Sequence, residues 1–150
     1  MQNLDFSGGF AGLLGLRFEE VSADRVVIRW TCRPELLQLY GLQHGGVYCS
    51  VVETAASVGA GIWLGAEGRV VGVANQTDFL RAVRDGDLTA LATPVHRGQS
   101  QQLWQVVITD EGGRLVARGQ VRLQNLKAAA RAAAPTAAGR PAGADERSPQ

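Results

Sequence analysis

Apolar and polar residues alternate with a period of two over much of the second half of this chain. The pattern is clearest at 114–124, where leucine, alanine and valine alternate with arginine and glutamine. Alternation of this kind is typical of strands with one buried face, and it predicts strands at 17–22, 25–33, 70–80, 87–96, 100–109 and 114–124. Short glycine-containing turns separate the last four, so these strands must be antiparallel, because a parallel crossover needs about a dozen residues or more.

A long apolar segment with a different period interrupts the strands. It begins at Gly45-Gly46 and continues to about Leu64, which is too long for an ordinary strand. Its apolar residues recur at spacings of three and four, as on one face of a helix. A helix this apolar is not expected at the surface, so the sheet should wrap around it. The predicted fold class is therefore α+β, with an antiparallel sheet of five to six strands wrapped around one long central helix.

The composition changes abruptly after Leu126. Alanine, proline and glycine dominate the remaining residues, with scattered charges. Such a sequence cannot bury enough apolar surface to fold. The chain of 150 residues is therefore predicted to form one domain over residues 1–127, followed by a disordered tail over residues 128–150.

The overall composition narrows the classes of function. Hydrophobic residues make up 45% and charged residues 19% of the chain, and a net charge of +1 gives no reason to expect a nucleic-acid partner. Cys32 and Cys49 fit neither a disulfide framework nor a metal-binding spacing, so a cytoplasmic protein without a metal site is expected. No secretory signal is visible. The segment 45–64 has the length of a membrane helix, but its glycines, its acidic residue and its lack of basic flanks argue against a membrane.

Glu53 is the only formally charged residue between Glu35 and Glu67, and it lies in the middle of the apolar segment. A carboxylate in such surroundings costs several kcal/mol unless it has a partner or a task. Two interpretations remain open at this point: a catalytic carboxylate, or a buried residue paired with an arginine. The glycines at the start of the helix offer backbone N–H groups that can polarise a carbonyl, although they could also form only a tight turn. Ser57 follows Glu53 at the i+4 position on the same helix face.

Several motifs in one order point to a known family. His44-Gly45-Gly46 is followed by Glu53, eight residues after the first glycine. Downstream come the segments 78–81, 86–90, 96–100 and 113–117. Together, over residues 10–126, they resemble the hotdog-fold acyl-CoA thioesterases. The resemblance implies a thioester hydrolase that needs no cofactor, since coenzyme A is part of the substrate. It also implies a homodimer, and a dimer of dimers, with active sites at the subunit interface.

Within that family, the spacing of Gln38, Glu53 and Ser57 is similar to the 4-hydroxybenzoyl-CoA thioesterases of the Arthrobacter type, which usually have threonine in place of Ser57. The related phenylacetate-pathway thioesterases more often place asparagine and aspartate where this chain has Gln38 and Glu53. An aromatic acyl group is therefore expected. A short or medium aliphatic acyl-CoA, or a non-catalytic acyl-CoA-binding and regulatory protein, is the alternative.

The resemblance also implies roles for individual residues. The Gly46 N–H would hold the thioester oxygen, Gly45 would shape the turn, and Gln38 would position the thioester. Glu53 would act either as nucleophile or as general base on water, and Ser57 would orient that water or the carboxylate.

The remaining candidates have less specific roles. His44 is expected to bond to the backbone and shape the turn, with a direct catalytic role as the alternative. Cationic and hydroxyl side chains in or beside turns are candidates for coenzyme A contacts: Arg81, Arg84, Arg97 and Ser100. Asn75 and Thr77 belong to a polar run in an otherwise apolar strand and are candidates for substrate binding.

Overall fold

The computed structural model describes residues 8–127, so the predicted tail at 128–150 lies outside the described residues. Within residues 8–127, two α-helices, two short 3-10 helices and six strands follow one another. The helices are α1 (Gly9–Leu14) and α2 (Gly45–Leu64), and the 3-10 helices span Pro34–Leu36 and Gly65–Glu67. The strands are β1 (Arg17–Val21), β2 (Val26–Thr31), β3 (Gly68–Phe79), β4 (Asp87–Arg97), β5 (Gln101–Asp110) and β6 (Leu115–Lys127). The predicted elements are thus confirmed, with boundaries shifted by a few residues.

The six strands form one antiparallel sheet in the order β1-β2-β4-β5-β6-β3. Strands β4, β5 and β6 pair as consecutive hairpins, as their short turns require. Strand β3 follows the helix but pairs with β6, so it closes the sheet at the far edge. The predicted hotdog architecture, an antiparallel sheet around one long helix, is confirmed.

Helix α2 lies against the sheet through a face of small and β-branched residues. Val51, Val52, Ala55 and Ala56 have no solvent exposure. Each valine contributes about 1.5 kcal/mol or more by leaving water, and the alanines let the helix approach the strands closely. By length and composition the segment Gly45–Glu67 could cross a membrane, but the core helix of a soluble protein passes the same test.

A hydrogen-bonded network anchors the C-terminal half of helix α2 to the sheet. Gln102 on β5 is buried, and its Nε2 donates to the Ala60 carbonyl at 3.3 Å and to Asn125 Oδ1 at 2.9 Å. Its Oε1 accepts from Trp104 Nε1 at 2.9 Å. Every polar atom of the glutamine side chain is thus satisfied, which a buried amide requires. The network fixes the rotation of the helix and hence the direction of the side chains on its other half.

Strand β3 is a long, open edge of the sheet. It spans 12 residues, and most of its side chains are exposed. Val71, Val73 and Phe79 are apolar residues on this edge with about half of their surface in solvent. Monomeric proteins usually protect such edges with charges, proline or a covering loop.

Candidate active site

The Glu53 carboxylate is half-buried on helix α2 beside strand β3. Asn75 on β3 donates from Nδ2 to Glu53 Oε2 at 3.1 Å and to the Cys49 carbonyl, one helical turn earlier, at 3.0 Å. Thr77 in turn donates to Asn75 Oδ1 at 2.7 Å, which fixes the orientation of the amide. Within residues 8–127 Glu53 forms no ion pair with arginine or lysine. The carboxylate is therefore held by a neutral donor, and no cationic side chain in the described part of the chain neutralises it.

Gly72 on β3 makes room for this carboxylate. A Cβ added at Gly72 would lie 1.9 Å from Glu53 Oε1, so any side chain there would displace the carboxylate. The pairing of β3 with β6 shifts register between Gly72 and Ala74. Such a bulge bends the strand and redirects its side chains, and bulges are common beside active sites. The bulge and the missing side chain together let the backbone of β3 approach Glu53.

The N-terminus of helix α2 differs from the predicted arrangement. His44 is the N-cap residue, and its Nδ1 accepts from the Gly46 N–H at 2.9 Å. His44 thus makes the backbone hydrogen bond that the sequence led us to expect. The Gly46 N–H, predicted as the donor to the thioester oxygen, instead donates to the His44 side chain. The Gly45 N–H donates to no residue in the described part of the chain, so Gly45 carries the free amide at the positive end of the helix dipole.

A groove of about 340 Å³ opens beside Gly45. Gln38 lines one side, and Tyr48 and Phe79, whose ring centroids are 5.8 Å apart, form an aromatic wall. The Phe79 ring packs so closely on Gly45 that a Cβ at residue 45 would lie 2.5 Å from it. The other lining residues are Leu42, Gln43, Leu80, Arg81, Ala82 and Val83. The groove therefore combines a free amide, the predicted glutamine and a largely apolar floor.

Gly45 and Glu53 of one chain cannot act on the same carbonyl. They are eight residues apart on one helix, which is about 12 Å along its axis and about 80° around it. The Glu53 side chain points toward the N-terminus of the helix by roughly one turn, because Asn75 Nδ2 donates both to Glu53 and to the Cys49 carbonyl one turn earlier. The free N–H, however, points out of the helix end, away from Glu53. Reacting groups must come within about 3.5 Å of each other, so one chain contains the two halves of the predicted site but does not join them.

Ser57 has no contact with Glu53 of the kind predicted, whereas two of the predicted coenzyme A contacts lie at the groove. Ser57 is half-buried and makes no hydrogen bond to any residue within 8–127, so the group that orients Glu53 is Asn75. Arg81 lines the groove, and Arg84 donates to the carbonyls of Tyr40 and Gly41 near its mouth.

Arg97 and Ser100 lie at the other end of strand β4. Residues 87 and 97 of that strand are separated by about 33 Å, so the four side chains cannot all contact one coenzyme A bound to one chain. Arg97 is moreover engaged: it forms a 2.8 Å ion pair with Asp24, donates to the Ala23 carbonyl at 3.0 Å and lies over the Trp63 ring at 5.6 Å. It holds the β1–β2 turn in place.

Sequence reasoning overlooked Gly72, Phe79 and Tyr48. The signal for Gly72 was present, because an isolated glycine in a strand often marks a bulge or a close approach. Tyr48 and Phe79 carried no such signal, since aromatic residues in apolar segments are usually core. Burial, with a smaller contribution from the nearby Cys32 thiol, raises the pKa of Tyr48 to about 12.

The sequence and the fold match a known class of enzyme. Residues 40–117 match the family model described as the thioesterase superfamily. The chain therefore belongs to the thioesterase superfamily, and it is a thioester hydrolase.

Individual members of the family are similar to most of this chain. The protein Rv1847 of Mycobacterium tuberculosis H37Rv is 52% identical over 122 residues, which are 79% of this chain and 87% of the relative. The 1,4-dihydroxy-2-naphthoyl-CoA hydrolase of Escherichia coli K12 is 32% identical over 108 residues, which are 72% of this chain and 79% of the relative. The crystal structure of AziG from S. sahachiroi superposes with a TM-score of 0.79 at 54% identity, covering 81% of this chain and 98% of AziG.

Proposed function

We propose that this protein hydrolyses an aromatic acyl-CoA thioester to the free acid and coenzyme A. The observation that carries the proposal is the Glu53 carboxylate, held by Asn75 against Gly72 without a cationic partner in the described part of the chain. The aromatic wall of Tyr48 and Phe79 supports an aromatic acyl group. The Escherichia coli relative is named for a bicyclic aromatic thioester.

The chemistry follows from the two half-sites. The Gly45 N–H donates to the thioester oxygen, and the helix dipole stabilises the negative charge that develops there. Gln38 holds the thioester beside it. Glu53 then acts in one of two ways: its carboxylate attacks the thioester carbon and expels the thiolate, giving an anhydride that water cleaves, or it removes a proton from an attacking water. Both routes place Glu53 within contact distance of a carbonyl held by Gly45.

A homodimer supplies this proximity. In the proposed dimer the open edge of β3 pairs antiparallel with β3 of a second copy, which removes the exposed edge and covers Val71 and Val73. The two α2 helices then run antiparallel. Asn75 contacts the helix at Cys49, which is midway between Gly45 and Glu53. A two-fold axis at that level brings Gly45 of one chain opposite Glu53 of the other, and a further pairing of dimers gives the expected tetramer.

The first test is the charge of Glu53. Glu53→Gln keeps the size of the side chain and its contact with Asn75, and we expect it to lower kcat by about 10²-fold or more, the scale of a positioned acid–base group. Thiol release from a panel of aromatic and aliphatic acyl-CoA esters measures this. Glu67→Gln, the same change at an exposed position, is the matched control and should leave the rate unchanged. An isosteric Glu53 variant with the parent rate would contradict the proposed function.

The second test separates a shared site from a site within one chain. Gln38→Ala and Glu53→Gln each impair one half-site, so a mixed dimer of the two variants regains one intact site. Co-expression of the two chains should therefore restore about a quarter of the parental activity if subunits pair at random. The same two chains purified separately and assayed without subunit exchange are the control. Specific activity equal to the mean of the two single variants after co-expression would contradict the shared site.

A further inference from the structure

The two oxygens of the Glu53 carboxylate have different surroundings. Oε2 accepts a hydrogen bond from Asn75 Nδ2 at 3.1 Å, whereas Oε1 accepts none from any residue within 8–127. Oε1 lies instead against Gly72, where an added Cβ would be only 1.9 Å from it. One oxygen of the carboxylate is thus anchored and the other has no donor, which indicates that the two atoms have different tasks.

The side-chain amide of Asn75 fits its surroundings in only one orientation. Its Nδ2 donates to Glu53 Oε2 and to the Cys49 carbonyl at 3.0 Å, so two acceptors lie on that side. Rotating the amide by half a turn would place its own oxygen against both acceptors, where it cannot donate. On the opposite side Oδ1 accepts from the Thr77 hydroxyl at 2.7 Å. Both amide hydrogens of Asn75 are therefore used within the protein, and neither is left for a substrate.

Strand β6 leaves the space in which the Thr77 hydroxyl lies. Thr77 pairs with Gly119 across the two strands. A Cβ at Gly119 would lie 2.8 Å from Thr77 Oγ1 and 2.7 Å from Val52 Cγ1 of helix α2. A side chain at this position would therefore displace the hydroxyl or the helix. The contacts thus form one series, from Thr77 beside Gly119, through the amide of Asn75, to Glu53.

We propose that Asn75 and Thr77 are positioning residues for the hydrolysis. They anchor Oε2 of Glu53, so that Oε1 is the oxygen that acts on the thioester carbon or on water. The sequence made both residues candidates for substrate binding, but their hydrogen-bond donors are directed at Glu53 and at each other. This inference rests on the proposed function, because it takes Glu53 as the catalytic group. Asn75 is exposed on the edge strand of the single chain, and pairing of β3 with a second copy shields this anchor from water.

The first measurement separates kcat from KM in two Asn75 variants. The substrate is the fastest of benzoyl-CoA, phenylacetyl-CoA and hexanoyl-CoA, followed by thiol release. Asn75→Leu replaces the amide by an apolar group of similar shape and should lower kcat about tenfold, the effect of one hydrogen bond to a charged group. Asn75→Asp removes the donor and adds a like charge, so kcat should fall at least as far. KM should stay within about twofold of the parent, because the residue does not touch substrate.

The second measurement tests whether Thr77 acts through Asn75. Thr77→Val removes the hydroxyl at constant shape and should lower kcat by about threefold, because the amide then loses one of its partners. In the Asn75→Leu background the same substitution should cause no further loss, since its route to Glu53 is already cut. Thr89→Val, the same change on the outer face of strand β4, is the matched control and should keep the parental rate. Independent losses of Thr77 and Asn75 would overturn the proposed series of contacts.

Asn125→Leu is the matched control for Asn75→Leu. The Asn125 amide is also fully bonded, since it donates to the carbonyls of Gly98 and Gln99 at 3.0 and 3.3 Å and accepts from Gln102 at 2.9 Å. It lies in the network at the other end of helix α2. Asn125→Leu should therefore lower the melting temperature and leave kcat at the parental value.

Two results would overturn this inference while leaving the proposed function in place. A raised KM at unchanged kcat in the Asn75 variants would show that Asn75 binds substrate. Parental kcat and KM in both variants would show that Glu53 needs no anchor. In either case Glu53→Gln would still be impaired, whereas a parental rate in Glu53→Gln would overturn the proposed function as well.

Discussion

Trp104 and Trp30 are both fully buried, one near each end of helix α2, but their indole N–H groups have different surroundings. Trp104 donates to Gln102, whose amide also holds the helix backbone at Ala60. Trp30 donates to no residue in the described part of the chain, and the hydroxyl of Tyr48, whose ring contacts Trp30, also has no partner there. The buried polar side chains packed on the C-terminal half of the helix thus have hydrogen-bond partners, whereas those near its N-terminal half include buried polar atoms without a partner.

The contrast separates the part of the fold that provides stability from the part that provides a site. A buried amide with all partners in place helps to fix the helix, and removing one partner leaves a buried polar atom unpaired at a cost in stability. Unpaired groups lower stability, and proteins retain such groups mainly where function uses them. We therefore expect substitutions near the N-terminal half and at Glu53 to change activity more than stability. Substitutions in the Gln102 network should have the opposite effect.

The largest effect on activity, apart from Glu53 itself, is expected from Gly72→Ala. The new Cβ would lie 1.9 Å from Glu53 Oε1, and the end of a flexible side chain is the group that moves. Gly72 does not have a positive φ, so alanine fits the backbone without strain. We expect the melting temperature to change little while kcat/KM falls by about 10²-fold, since misplaced catalytic groups lose this much.

Gly61→Ala is the matched control for Gly72→Ala. A Cβ at residue 61 would lie 3.9 Å from Val70 Cγ2, which is an ordinary contact, and alanine favours the helix. It should keep full activity and at least the parental stability. If Gly72→Ala kept the activity of the unmodified protein, Glu53 would not act on substrate from the position that it occupies beside Gly72.

The fold was predictable because its signals are local. The period of two in strands and the long apolar helix follow directly from the residues that each element contains. The order of strands was not predictable in the same way. Strand β3 pairs with β6, some fifty residues later in the chain, and no local pattern in β3 specifies this partner.

The candidate site was predictable only where a residue differed in chemical character from its neighbours in the sequence. Glu53 stood out as a lone charge, and the glycines before it stood out as a helix start. The role of Asn75 as partner of Glu53 depends on how β3 lies along the helix, which the sequence does not specify. Arg97, a candidate for coenzyme A, is bound by Asp24 from a distant turn. Which of the two adjacent glycine amides is free depended on the side-chain conformation of His44.

The smallest expected effect is also the most direct measure of the contrast between the two tryptophans. Trp104→Phe and Trp30→Phe remove the same volume from two fully buried positions, so their cavity costs should be similar. Trp104→Phe also breaks a hydrogen bond and leaves Gln102 Oε1 unpaired, whereas Trp30→Phe removes a donor that had no partner. Trp104→Phe should therefore lower the free energy of unfolding by about 1 kcal/mol more than Trp30→Phe. Urea denaturation at one protein concentration measures the difference. Equal losses would show that the Trp30 N–H is satisfied in solution, and the contrast between the two halves of the helix would then disappear.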